Sequence, residues 1–266
     1  MVPVGTDPPS RLDGSETGVT VIIPVKVSGP SGPPQGDRTR RAVGVVGEVF
    51  ITLGVLLLLL CVYQLWWTNV ESAKATDVVR DEISSEWETT PVIKSATGGK
   101  PGTIARPASG KGFAFLYIPR INDKVWRLPV IQGTSLSVLA EGAGHYTSSA
   151  LPGQVGNFAV AAHRATHNEP FRDIDAIKPG DKVYVETKAG WYTYVLDRYK
   201  IVKPTDTWVI NPVPSKTKET PTKALITLTT CNPRWASYER WIWWGHLTKA
   251  TAKSDGPPDG INPRSA

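Results

Sequence analysis

The feature that most constrains this chain is a long apolar run, VGVVGEVFITLGVLLLLLCVYQLWW, at residues 43–67. Only Glu48 near its start and Gln64 near its end interrupt it. At about 1.5 Å per helical residue, the part from Val49 to Trp67 extends roughly 28 Å, about the thickness of the hydrocarbon core of a bilayer. The run therefore predicts one transmembrane helix over residues 43–67.

The charges that flank this run predict its orientation. Arg38, Arg40 and Arg41 lie just before it, whereas the residues just after it, TNVESAK, carry mixed charge. The positive-inside rule then predicts a cytoplasmic N-terminus and an extracytoplasmic location for the residues after Trp67. A cleaved signal peptide is the alternative, but the run begins only at residue 43 and no A-x-A site follows it. We therefore expect a single-pass protein of the cell membrane.

Composition divides the rest of the chain around this anchor. Residues 1–42 contain the Pro- and Gly-rich text SGPSGPPQGDR and predict a disordered cytoplasmic tail. Residues 68–112 predict an extracytoplasmic stalk and linker, helical at first and flexible later. Short β-rich runs fill residues 113–249, and residues 250–266 predict a polar C-terminal tail.

The β-rich runs predict a mostly β domain. They are FAFLYI, KVWRLPVI, NFAVAA, KVYVET, WYTYVLDRYKIV, ALITLTT and RWIWWGHL, separated by Pro, Gly, Asp and Asn. One short helix is expected at TSLSVLAEG, where Thr134 or Ser135 can cap it, and a further turn at PFRDIDAI. Seven or eight strands of this length indicate a small barrel or sandwich.

Charge and motif content narrow the classes of function. The net charge is +6 at pH 7, but the basic residues are scattered and no aromatic-basic motif accompanies them, so no nucleic-acid partner is expected. Proximity to anionic lipid or wall polymer explains the charge more simply. The His and Cys positions lack C-x-x-C or H-E-x-x-H spacing, so the sequence predicts no metal site and no cofactor.

One cysteine stands out in the β-rich region. The chain has two cysteines, and Cys61 lies in the apolar run, so Cys231 has no extracytoplasmic partner where disulfides normally form. Alternation along ALITLTT puts Ile226 and Leu228 on one face, and Cys231 follows at the end of the strand, just before Asn232. Such a position suits an exposed nucleophile, while a small packed hydrophobe is the alternative reading.

A nucleophilic cysteine needs a proton-transfer group and a group that stabilises negative charge. His163 ends the run NFAVAAHR, and His145 in GAGHYTSSALPGQ competes with it, although His145 could equally hold its loop by hydrogen bonds. Arg240 opens the last predicted strand and is expected to return beside Cys231, with Arg234 as its rival.

Taken together, these segments resemble the sortases, the membrane-anchored cysteine transpeptidases of Gram-positive bacteria. The resemblance covers about Phe113 to Leu247 and includes IPRI, the block from GAGHY through GNFAVAAHR to PFRDIDAIKPGD, and TLTTCNP, in the order of the family. Within that family, the sequence is most similar to the class E sortases of actinobacteria. L,D-transpeptidases also use Cys and His on a β-rich fold, but their S-H-G-C type motif is absent from this sequence.

The resemblance implies a closed β-barrel of about eight strands with the active site at one rim. It implies cleavage of an LAXTG- or LPXTG-like sorting signal between Thr and Gly, and transfer of the surface protein to an amine of lipid II or peptidoglycan. The family's catalytic residues match Cys231, His163 and Arg240, and Thr230 and His145 match positions expected to help place the substrate. Ala162 stands where a glycine usually precedes the histidine. The lack of a pilus-type lid and of a C-terminal membrane helix implies a housekeeping, wall-anchoring role.

Overall fold

The computed structural model describes residue 29 and residues 36–89, 101–102, 104–121, 123–215 and 218–262. Most of the predicted tail and the Gly-rich part of the predicted linker lie outside the described residues. The chain divides into two compact units, Met1–Leu56 and Leu57–Ala266.

One long helix, α1, runs over Gly36–Thr89. Among the described residues it is the one helix long and apolar enough to cross a membrane, with a mean hydropathy of 2.7 in its most apolar window. The sequence assigns residues 36–42 to the tail and predicts a separate stalk helix after residue 67, but both are parts of α1. At about 1.5 Å per residue the helix is roughly 80 Å long, so only its apolar part can lie in a hydrocarbon core of about 30 Å.

The β domain contains eight strands among the described residues, which form a closed barrel in the order β1-β2-β3-β4-β7-β8-β6-β5. Their bounds are β1 Gly112–Tyr117, β2 Leu128–Gln132, β3 Ala143–His145, β4 Gly156–Ala161, β5 Lys182–Thr187, β6 Gly190–Val202, β7 Ala224–Asn232 and β8 Glu239–Ala252. A short helix α2, Leu136–Glu141, joins β2 to β3. Four 3₁₀ turns within the described residues complete the domain: Pro119–Ile121, Ile174–Ala176, Thr207–Ile210 and Lys253–Asp255.

Most neighbouring strands pair antiparallel, but β2 with β3 and β4 with β7 pair parallel. The second parallel pair matters for the site, because the two strands then end on the same side of the sheet. The register joins Ala161 of β4 to Thr229 of β7. One further bond continues the ladder, from the Ala162 backbone N–H to the Thr229 carbonyl at 3.2 Å.

The barrel interior is filled by every second residue of the strands, as expected for a closed sheet with one apolar face. The alternating residues Phe158 and Val160 of β4 and Ile226 and Leu228 of β7 are buried there. Trp243 of β8 is completely buried and donates through Nε1 to the Ile174 carbonyl.

The part of α1 within the larger unit packs on the outside of this barrel. Ile83 is 2% exposed and lies in one apolar cluster with Phe115, Trp191 and Ile261. A Cβ on Gly112 would lie 2.6 Å from Ile83 Cδ1, so β1 has room for the helix only because this residue is glycine. The part of α1 around Ile83 is therefore packed against the β domain.

The sequence predictions of a closed, mostly β barrel and of a helix capped by Ser135 are confirmed. The three-residue strand β3 is not predicted, and β8 continues to Ala252 into the region assigned to the polar tail. Ile261, also assigned to that tail, is 5% exposed. The C-terminal residues up to 262 therefore belong to the packed structure rather than to a solvated extension.

Candidate active site

Cys231 and Arg240 lie opposite each other on neighbouring strands. In the antiparallel ladder of β7 and β8, Cys231 is the Cα partner of Arg240, one pair before the strands separate. Directly opposed residues point to the same face of a sheet, with Cβ atoms about 5 Å apart. The register therefore brings the two residues together as the sequence predicts.

Both side chains point to the outer face of the barrel. Leu228 of β7 and Trp243 of β8 point inward into the core, so Cys231 and Arg240, at odd spacings from them, share the opposite face. Cys231 is a free cysteine of intermediate exposure. This exposure does not match the alternative interpretation, in which Cys231 is a small hydrophobic residue packed completely in the core.

The same face is walled on one side by the connection between β6 and β7. Val209, in the 3₁₀ turn Thr207–Ile210, packs against Ile242 and Trp244 of β8. The Trp244 indole donates to the Val209 carbonyl at 3.0 Å, which fixes this wall. The connection therefore packs on the same outer face of β8 as Arg240.

His163 comes to the same place from β4. Because Ala161 pairs with Thr229 in a parallel ladder, two further residues along each strand bring His163 level with Cys231. Phe158, Val160 and Ala162 point into the core, so alternation directs His163 to the outer face. The topology therefore places His163 and Cys231 at matching ends of adjacent strands.

The His163 imidazole is held in a partly buried environment. Its Nε2 is buried and has no hydrogen-bond partner within the described part of the chain. Its ring stacks on that of His167, with centroids 4.6 Å apart and an interplanar angle of 22°. Burial, with His167 as a second cause, lowers the pKa of His163 from 6.5 to about 4. The ring is therefore neutral near pH 7 and able to accept a proton.

The two arginine candidates have different surroundings. Arg240 Nη1 donates to the carbonyls of Ser237 and Glu239 at 2.6 and 2.8 Å, which leaves other donors of its guanidinium fork for a ligand. Arg234 instead forms a salt bridge with Glu169 at 2.7 Å, and its guanidinium lies over the Trp235 ring. This geometry favours Arg240 as the residue beside Cys231.

Thr230 is buried, and its hydroxyl donates to the Ala162 carbonyl at 2.7 Å. That bond joins the residue before Cys231 to the residue before His163. In this structure Thr230 thus fixes the spacing of the two strand ends from inside the barrel.

His145 lies at the centre of a hydrogen-bonded loop. It has no exposed surface, and its Nδ1 lies 2.7 Å from Gln132 Oε1. Its Nε2 lies 2.8 Å from Ser149 Oγ and 3.0 Å from the Ala150 carbonyl oxygen. With no surface open to a peptide, His145 can influence a substrate only through the loop that it holds. This favours the structural alternative for His145.

Sequence reasoning misses three residues around the site. Arg164 is 5% exposed and donates to Asn232 Oδ1 at 2.6 Å, linking the residue after His163 to the residue after Cys231. The ring of His167 stacks on that of His163. Glu169 carries the bridge to Arg234. The four-residue spacing of the two histidines is the only sequence signal of this arrangement.

No cluster within the described residues combines three or more His, Cys, Asp or Glu side chains in a geometry that could hold a metal ion. A partly exposed cysteine whose strand end meets those of a histidine and an arginine provides the nucleophile, the proton-transfer group and the oxyanion donor that acyl transfer through a cysteine requires.

Comparison with known proteins agrees with that class. Residues 116–248 match the family model for the sortase domain. Sortase SrtE2 of Streptomyces coelicolor is 36% identical over 230 residues, which cover 83% of this chain and 87% of that protein. Sortase SrtE1 of the same organism is 37% identical over 225 residues, 81% of this chain but only 60% of the length of that relative. The chain belongs to the sortase family, whose members are cysteine transpeptidases.

Solved structures give the same result. The structure of sortase E from Streptomyces avermitilis is 41% identical and aligns with a TM-score of 0.53 over 59% of this chain and 100% of that one. The crystal structure of Sortase E1 from Streptomyces coelicolor, with a tripeptide in its active site, is 34% identical and has a TM-score of 0.53 over 58% of this chain. Class E sortases are thus among the relatives of this chain, as its sequence suggests.

Proposed function

We propose that this chain is a membrane-anchored sortase that cleaves an LAXTG- or LPXTG-like sorting signal between Thr and Gly. The cleaved protein is then transferred to an amine of a cell-wall precursor such as lipid II, or of peptidoglycan. The observation that carries this proposal is the convergence of Cys231, Arg240 and His163 on one outer face at the ends of β7, β8 and β4.

The chemistry follows from the positions of the three side chains. Cys231 attacks the carbonyl carbon of the signal's threonine, and Arg240 donates to the oxygen on which negative charge develops. His163 accepts the proton from Cys231 and gives it to the departing glycine amine as the C–N bond breaks. A thioester between the threonine carbonyl and Cys231 remains.

The second half reverses the proton transfers. Neutral His163 accepts a proton from the incoming amine, which attacks the thioester carbonyl and forms a new amide bond. The C–S bond breaks, and the His163 imidazolium returns its proton to the sulfur of Cys231. A pKa of about 4 keeps His163 in the basic form required at the start of both halves.

In our proposal, Thr230 and His145 contact no substrate and act from inside the barrel by holding the strand ends and a loop in place. Thr230 holds the end of β7 to the end of β4 through the Ala162 carbonyl. His145 orders the loop between β3 and β4 through Ser149 and Ala150. Both set the geometry into which the sorting signal binds.

We further propose that the N-terminus is cytoplasmic and that the barrel is extracytoplasmic. Arg38, Arg40 and Arg41 before the apolar run support this orientation. Enzyme, sorted protein and lipid-linked acceptor would all be confined to the outer face of one membrane. Such confinement raises their effective concentration.

The nucleophile is tested with the full chain in detergent, a fluorogenic LAXTG peptide and hydroxylamine to capture the thioester. Cys231→Ala should abolish hydroxamate formation. The matched control is Cys61→Ala, which removes the other cysteine, in the apolar part of α1, and should leave turnover within about twofold of the wild type. Turnover above background in Cys231→Ala contradicts the proposal.

The same assay distinguishes the roles of Arg240 and Arg234 and identifies the preferred sorting signal. Arg240→Ala should lower kcat by about 10²- to 10³-fold, the usual effect of losing an oxyanion donor. Arg234→Ala should cost at least about tenfold less, because Arg234 is held by Glu169. Parallel reactions with LPXTG, and with diaminopimelate as the amine, identify the preferred signal and acceptor class.

A further inference from the structure

The loop after His163 contains an unusual backbone segment. His167, Asn168 and Glu169 have φ angles of +53°, +61° and +50°, so three consecutive residues other than glycine adopt the left-handed region. Each such residue is strained and keeps this conformation only where its surroundings hold it. Something in the structure must therefore stabilise this turn.

Two side chains from distant parts of the chain hold it. The Asn168 backbone N–H donates to Asn69 Oδ1 of α1 at 3.0 Å. The Glu169 carboxylate accepts from Arg234, in the connection that follows Cys231, at 2.7 Å. One bond comes from α1 and the other from the connection between β7 and β8, so two separate parts of the chain hold the turn.

The turn carries the residue that stacks on His163. His167 is its first member, and its ring lies parallel to that of His163 at 4.6 Å. The loop closes on itself through the Phe171 N–H, which donates to the His163 carbonyl at 2.9 Å. No bond orients His163 Nε2 within the described part of the chain, so the His167 ring contributes directly to the orientation of His163.

We propose that His167 is a positioning residue for His163, and that Asn69 holds the left-handed turn that keeps His167 in place. In many Cys–His enzymes a carboxylate or amide orients the imidazole by a hydrogen bond, whereas here a second imidazole does so by stacking. The α1 segment that follows the apolar run thereby becomes part of the support of the active site. The proposal rests on the proposed role of His163 as the proton-transfer group.

Ring NMR of the full chain in detergent tests the geometry without any substrate. The sequence has four histidines, so a ¹³C-histidine-labelled sample gives a spectrum that single variants can assign. His167→Ala should shift and broaden the His163 ring signals, whereas His167→Phe, which preserves a stacked ring, should keep them narrow. Asn69→Leu should disturb the signals of both His163 and His167, and Asn69→Asp, which retains an acceptor for the Asn168 N–H, should restore them.

Kinetics test the consequence for catalysis. His167→Ala and Asn69→Leu should lower kcat for LAXTG peptide cleavage by about tenfold with KM changed less than about twofold, because a misplaced base affects the transition state more than binding. His167→Phe and Asn69→Asp should recover most of kcat. Glu71→Ala, an exposed residue on the same helix, is the matched control and should equal the wild type.

The proposal is wrong if the His163 ring signals are unchanged in His167→Ala and Asn69→Leu. It is also wrong if both variants have a kcat within twofold of the wild type. A chain that cleaves no peptide but shows the expected NMR pattern refutes the proposed substrate alone. The two failures are therefore distinguishable.

Discussion

Acidification should destabilise the folded domain through His145, which has no exposed surface. Burial, with Arg106 as a smaller lowering cause, reduces the pKa of His145 from 6.5 to about 4, although its bond to the Ala150 carbonyl opposes the shift. A group whose folded pKa lies below its unfolded value contributes stability at high pH. That stability is lost as the pH falls from 6.5 toward 4.

The two pKa values give the size of the effect. Near pH 8 both states are deprotonated, so His145 adds almost no pH dependence. At pH 5 the unfolded state is mostly protonated and the folded state mostly is not, which favours unfolding by about 2 kcal/mol. His163 shifts in the same direction and adds a smaller amount, because solvent reaches part of its ring.

The measurement is urea unfolding of the full chain in detergent at pH 8 and pH 5, followed by tryptophan fluorescence. His145→Gln replaces the imidazole by a neutral amide, so the loss of unfolding free energy between the two pH values should shrink by about 2 kcal/mol. Val155→Ala, an exposed neutral site, should keep the wild-type loss. An equal loss in the wild type and His145→Gln would refute the reasoning.

Two further predictions concern stability and use thermal unfolding of the full chain. Gly153→Ala should lower the melting temperature by several degrees, because φ is +79° and a Cβ would lie 2.1 Å from the Tyr192 ring. The control is Gly180→Ala, at φ +92° with open space around it, which should lower the melting temperature by about half as much or less. Equal decreases in the two variants contradict the steric argument. Lys253→Met should destabilise by about 3 kcal/mol, because it leaves the buried Glu186 carboxylate without its cation. Adding Glu186→Gln to that variant should restore most of the loss, and an additive double variant contradicts the pairing.

The sequence predicts most of the barrel because the alternation of apolar residues is strong in long strands. KVYVET matches β5 residue for residue, and the alternation in ALITLTT gives the correct inward face of β7. β3 is missed because Ala143 and Gly144 lack the branched or aromatic side chains typical of strands. Its existence depends on parallel pairing with β2, a long-range contact that no local pattern records.

The site is predictable where it depends on strands adjacent in sequence. Arg240 follows Cys231 through one connection, so antiparallel pairing brings the two together. The contribution of His167 is not predictable, because it depends on a left-handed turn held by Asn69 and Arg234, residues far apart in the chain. Local sequence around His167 resembles an ordinary polar loop.

A comparison of His145 with His163 shows why a shifted pKa alone does not identify a proton-transfer group. Burial lowers the pKa of both His145 and His163 to about 4. The difference lies in their hydrogen bonds: both ring nitrogens of His145 lie within bonding distance of Gln132, Ser149 or Ala150, whereas Nε2 of His163 has no partner among the described residues. A ring that meets partners on both nitrogens stabilises its loop, while one with an unused nitrogen at a strand end beside a cysteine can transfer a proton. This difference in hydrogen bonding, rather than residue type or pKa, supports the proposed role of His163 in proton transfer.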